Sequence, residues 1–77
     1  MKELVEVIAK ALVDNPDQVT VTETVEDDGT IVLALSVAKE DMGKVIGKKG
    51  RIAKSIRTVV KTVAIKEDKR VVVDIVE

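Results

Sequence analysis

The sequence predicts an α+β fold in the order helix, strand, strand, helix, helix, strand, with a three-stranded mixed sheet carrying three helices on one face. Three observations predict it. Apolar residues recur at helical spacing near the start, alternate singly from Val19, and return to helical spacing after Val37; the two periods mark helix and strand. Asp28-Gly29 stands between two alternating runs, a hairpin signal because so tight a turn needs positive φ. Two helical stretches then separate the second strand from the third, enough chain for a right-handed parallel crossover.

Each element has its own signature. Leu4, Ile8 and Leu12, joined by Val5, Ala9 and Val13, form one stripe of a first helix, which stops at Asp14-Asn15-Pro16-Asp17 because proline disfavours helical geometry in the residue before it. Val19, Val21 and Val25 alternate with Thr20, Thr22 and Thr24 in a half-buried strand. Glu26-Asp27-Asp28-Gly29 reads as a solvated turn, since the oxygen-ligand spacing of a calcium loop is missing. The return strand sets Ile31, Leu33, Leu35 and Val37 against Val32, Ala34 and Ser36. With both faces largely apolar it belongs at the centre of the sheet, and its spare apolar face is a candidate border for a ligand groove.

Glu40 and Asp41 open a short helix, where their charge opposes the positive end of the backbone dipole. Met42, Val45 and Ile46 give that helix an inner side, and Gly43 in its middle is expected where a neighbouring helix approaches closely. After Gly47-Lys48-Lys49-Gly50, residues Ile52, Ile56, Val59, Val60 and Val63 line a longer helix, with Arg51, Lys54, Arg57 and Lys61 on or near the opposite face. Glu67-Asp68-Lys69 is a polar turn, and Val71, Val73 and Ile75 alternate with Val72, Asp74 and Val76 in the last strand.

Residues 1–77 make one small domain, near the lower limit for a core without staples. The chain has no Cys, no His and no aromatic residue, which excludes disulfides and the usual zinc, haem and iron-sulfur ligands. No cofactor and no metal site are implied. The start carries Glu3 and Glu6 inside its apolar pattern, so it does not read as a signal peptide, and no run is long enough to span a bilayer. A cytoplasmic protein without a membrane partner is expected. The net charge of −1 conceals a division: Met42 to Lys66 holds eight of the thirteen basic residues and none of the fourteen acidic ones. Such a balance favours a local anion site over general stickiness to polyanions.

That site falls on Gly47-Lys48-Lys49-Gly50, read as a turn between two helices. Glycine at both ends allows a tight turn and removes Cβ atoms from the path of an approaching polymer. Gly50 is read as preceding a helix whose first amides lack internal partners, a ready anion site. Lys48 and Lys49 add cations at the tip, and Arg51 and Lys54 can follow the next phosphates. A bare G-x-x-G is common; here the flanking helices, the cations in the turn, the acid-free surroundings and the strand order agree on an RNA-binding clamp.

Val45-Ile46-Gly47-Lys48-Lys49-Gly50-Arg51-Ile52 resembles the signature of the KH domain, and the N-terminal helix and strand make the chain similar to the type II arrangement. The likeness runs from Met1 to Glu77, and with Glu40-Asp41-Met42-Gly43 and Arg51-Ile52-Ala53-Lys54 it resembles the small bacterial KhpA-type family. The resemblance implies a grip on the backbone of about four nucleotides of single-stranded RNA, with bases in an aliphatic groove between the clamp helices and the second strand. Carried over by position, Ile46, Gly47, Lys48, Lys49, Gly50, Arg51 and Lys54 border that groove. It further implies an RNA chaperone or post-transcriptional regulator, present as a homodimer or paired with a KhpB-type KH-containing protein, and linked to cell elongation and envelope growth. The lack of aromatic rings fits a KH groove better than surfaces that stack bases on exposed rings.

Two other classes compete. An enzyme acting on a small-molecule substrate would need groups the chain lacks, since Ser36 and Ser55 are its only serines and His and Cys are absent. Gly43 to Lys48 is similar to a P-loop, but its glycines are one residue too close and it follows a helix instead of a strand. A protein adaptor that docks an acidic partner on the basic helix is the alternative binding function.

Overall fold

Strand β2 (Ile31–Ser36) lies at the centre of a three-stranded sheet, antiparallel to β1 (Thr20–Val25) and parallel to β3 (Val71–Val76). In the computed structural model the chain is described over residues 1–76 and, at 48 and 49, through the backbone alone. Helix α1 (Lys2–Leu12) precedes the sheet, and α2 (Lys39–Lys66) makes the connection between the two parallel strands. The expected α+β order and mixed sheet are found.

The hairpin forms as the sequence implies. Gly29 takes φ +89°, Gly29 N–H donates to the Glu26 carbonyl, and the Asp28 carboxylate accepts from Thr30 N–H at 2.9 Å. Register then places Val21 beside Leu35 and Leu33 beside Val73. Leu33 and Leu35 are wholly buried under the helices, while Thr20, Thr22, Thr24 and Asp74 face outward. Only one face of β2 is sealed, because Val32, Ala34 and Ser36 are half-buried.

Two apolar stripes differ from expectation. On α1 the buried line is Val5, Ala9 and then Val13, while Leu4 and Ile8 are half-buried and Leu12 is exposed; the stripe meets the core a little to one side of the leucines. Helix α1 gives way to extended backbone at Val13, and Pro16 then opens a 3-10 turn over Pro16–Gln18, a use of proline that suits its fixed φ. On α2, Val45, Ala53, Ile56, Val60 and Ala64 are buried. Complete burial of Leu33, Leu35 and Ile56 contributes roughly 1.5–3 kcal/mol each.

Helix α2 is the main departure. Two helices joined by a four-residue turn were expected; instead one helical run of 28 residues passes through Gly47, Lys48 and Lys49. It is not straight. At about 1.5 Å per residue a straight helix of that length measures about 42 Å, against 34 Å for the longest axis of the molecule. Gly50, with φ +68°, supplies the bend, since that backbone conformation lies outside the right-handed helical region. The two expected helices are therefore two arms of α2 meeting at one residue.

Candidate nucleic-acid interface

Gly43, Gly47 and Gly50 are spaced four and three residues apart on α2, which stacks them on one helical face. Among the described residues, a Cβ added at any of them meets nothing within 4 Å. Gly43 is also exposed, so the expected close helix contact at that position is absent. Its lack of a side chain answers no packing demand inside the molecule. Together the three glycines leave a strip of uncovered backbone about 10 Å long leading to the bend.

Gly50, with φ +68°, separates the two arms of α2, and the second arm follows it directly. A helix start of that kind is where backbone N–H groups lack internal partners and favour an anion. Ile46 sits beside the strip with 54% of its surface exposed; it was expected to face inward, yet it offers an apolar edge to solvent. The side chains of Lys48 and Lys49, expected at the tip, lie outside the described residues.

The other basic residues separate by partner. Lys44 Nζ reaches Asp14 Oδ1 at 3.3 Å, Lys69 meets Glu67 at 3.5 Å, and Arg70 lies 3.8 Å from Asp28. Arg51, Lys54, Arg57 and Lys61 are exposed and, among the described residues, have no carboxylate partner. Arg51 and Lys54 line a shallow hollow with Ser55 and Thr58 on the outer side of the second arm.

A cleft of about 390 Å³ lies between the second arm and β3, an edge strand; its floor includes Val60, Ala64, Val71 and Val73 and its helix side carries Arg57 and Lys61. That size falls in the usual range of small-ligand sites. Sequence reasoning singled out neither Arg57 nor Lys61 as a groove residue. Their spacing with Lys54 on one side of the helix was visible, but the strand that completes the cleft becomes a neighbour only after folding.

The first arm is fastened at its base. Asp41, only 1% exposed, accepts hydrogen bonds from Asp14 N–H at 3.2 Å, Asn15 N–H at 3.0 Å and Asn15 Nδ2 at 3.2 Å. Burial by itself raises the pKa of this carboxyl, but those donors and the nearby Lys44 charge outweigh it, and the net shift is downward. Read from sequence as a dipole partner, Asp41 in fact ties the loop after α1 to the arm that carries the glycines.

A mixed three-stranded sheet under a helical pair bent at a glycine, with a cationic side and an aliphatic cleft, defines the KH class of nucleic-acid-binding folds. Residues 2–75 match the family described as KhpA/KhpB, KH domain, and the chain belongs to that family. It is 64% identical to "RNA-binding protein KhpA" of Clostridium perfringens, over 99% of this chain and all of that protein. It is 52% identical to the protein of the same name from Listeria monocytogenes over the whole of both chains. The Aquifex aeolicus protein so named is 49% identical over all of this chain and 96% of its own length.

Proposed function

We propose that this chain is an RNA-binding protein, not an enzyme, which grips the backbone of single-stranded RNA over the glycine strip and seats bases in the cleft between α2 and β3. The observation that carries the reading is the bare face of Gly43, Gly47 and Gly50, where a Cβ would meet nothing. At Gly43 and Gly47, which are helical, glycine costs roughly 0.5–1 kcal/mol relative to alanine, whereas the φ of +68° at Gly50 itself calls for glycine. A ribose-phosphate chain lying against the backbone gives the two helical positions a reason to stay bare. Ile46 borders the path, Lys48 and Lys49 supply charge at the bend, and Arg51, Lys54 and Lys61 attract the phosphates that follow. The relatives' name, RNA-binding protein KhpA, supports the same assignment.

With no aromatic side chain in the sequence, a single copy forgoes base stacking worth about 1–3 kcal/mol per base, so affinity from one module is modest. A homodimer, or a pair with a KhpB-type protein, would raise it through effective concentration. On the family resemblance, the cellular role is that of a cytoplasmic RNA chaperone or post-transcriptional regulator connected with cell elongation and the envelope.

Replacing Lys48 and Lys49 together by Asp tests the grip. Binding to a labelled single-stranded RNA should be lost while the thermal unfolding curve stays in place. Undiminished RNA binding sinks the reading, as does capture of an acidic protein by a chain that binds no RNA.

A further inference from the structure

One side chain in the cleft is held in a way that phosphate attraction does not require. Arg57 lines the cleft, and its Nε–H donates to the Val73 carbonyl at 3.4 Å. Among the described residues strand β3 pairs only with β2, and the Arg70 carbonyl receives Ile31 N–H from that partner. Backbone groups alternate in direction along a strand, so Arg70, Val72 and Asp74 turn theirs toward β2, while Val71, Val73 and Ile75 turn theirs outward. The Val73 carbonyl is therefore an acceptor on the open edge of the sheet, and Arg57 occupies it.

This bond commits one donor and orients the rest. Guanidinium is planar with its N–H groups in a fixed fork. Once Nε is engaged, the remaining outward pair is Nη1–H and Nη2–H, two parallel donors at a fixed spacing. Among the described residues neither has a hydrogen-bond or carboxylate partner. The floor beneath them, Val60, Ala64, Val71 and Val73, is apolar and suits the face of a ring more than a hydrated phosphate.

Two parallel donors match two adjacent acceptors. Guanine offers O6 with N7, and cytosine offers O2 with N3. The exposed edges of adenine and uracil alternate donor with acceptor and satisfy only one arm of the fork. We propose that Arg57, pinned by the Val73 carbonyl, reads one base with paired acceptors, guanine or cytosine, in the cleft between α2 and β3. The inference rests on the RNA-binding reading above and adds to it a base preference and the residue that sets it. Lysine, a point charge with rotating donors, could attract phosphate from the same place but could not impose this choice.

The test uses the full chain and labelled uracil-rich RNA oligomers that differ in one central base: guanine, cytosine, adenine, uracil or 7-deazaguanine. The native protein should favour guanine or cytosine over adenine and uracil by about 5- to 150-fold, the range of a good bidentate contact. If guanine is the base, 7-deazaguanine loses the advantage; if cytosine is, the guanine oligomers bind no better than uracil. Arg57→Lys should bring the ratio close to unity, and the ratio is the readout, so a general change in affinity does not obscure it. RNA binding with equal affinity for all bases, or a preference that survives Arg57→Lys, overturns the inference and leaves the grip on the backbone standing. Failure to bind any of the oligomers overturns both.

Discussion

Asp41 Oδ2 accepts both the backbone N–H of Asn15, at 3.0 Å, and its side-chain amide, at 3.2 Å, across 26 residues of sequence. A buried carboxylate is tolerable only when hydrogen-bonded, and here the donors come from the loop that follows α1. The arm carrying Gly43 and Gly47 is thereby held against the N-terminal helix, and Lys44 adds a surface link to Asp14.

Acid should release this clasp. Asp41 and Asp28 both have pKa values below the ordinary 3.8: Asp41 because its donors outweigh burial, Asp28 because the Thr30 N–H and hydroxyl, helped by Arg70, favour its charge. A carboxyl depressed in the folded state contributes stability that is complete above the unfolded value and lost as pH falls through the folded value. Urea midpoints followed from about pH 6 to about pH 2 should therefore hold steady and then fall below about pH 4. Asp41→Asn should lower the midpoint near neutrality and flatten the acid limb. An unaltered acid limb in that variant would remove Asp41 as its source.

Stability and RNA binding should move in opposite directions at Gly47. The residue is helical and a Cβ there meets nothing, so Gly47→Ala should stabilise the fold by about 0.5–1 kcal/mol. The same methyl group obstructs the polymer, and affinity should fall by roughly tenfold, the equivalent of about 1.4 kcal/mol. Gly50→Ala differs in sign, because φ +68° penalises an L side chain by about 1–2 kcal/mol. Paired denaturant and RNA titrations of the two variants check both statements.

Phosphate contact should appear in the salt dependence. Binding should weaken with salt at a log-log slope of about −0.7 per phosphate neutralised on a single strand. Lys54 and Lys61 are exposed and, among the described residues, lack carboxylate partners. Each Lys→Ala change should reduce the slope by about 0.7 and move stability by no more than about 0.5 kcal/mol. A slope indifferent to both changes would place the phosphates elsewhere.

The end of α2 offers a gain. Asp68 has φ +55°, with its own N–H donating to the Ile65 carbonyl and Lys69 N–H to the Ala64 carbonyl. This is the helix stop that usually carries glycine. Asp68→Gly should therefore raise stability by up to about 1 kcal/mol, measurable as a higher urea midpoint with RNA binding intact.

Local order carried the sequence a long way. The switch between helical and alternating periods located the elements, Asp28-Gly29 located the hairpin, and the segment from Ile46 to Lys54 stood out as a candidate site because glycine spacing and the absence of acid are properties of a short segment. What folding alone decided are the relations between distant segments. The expected turn became a bend at Gly50, whose φ of +68° redirects the helical run. Asp41 found Asn15, and a cleft formed between α2 and β3. Periodicity reports which face of an element is apolar; which neighbour covers that face depends on the packing of the whole chain.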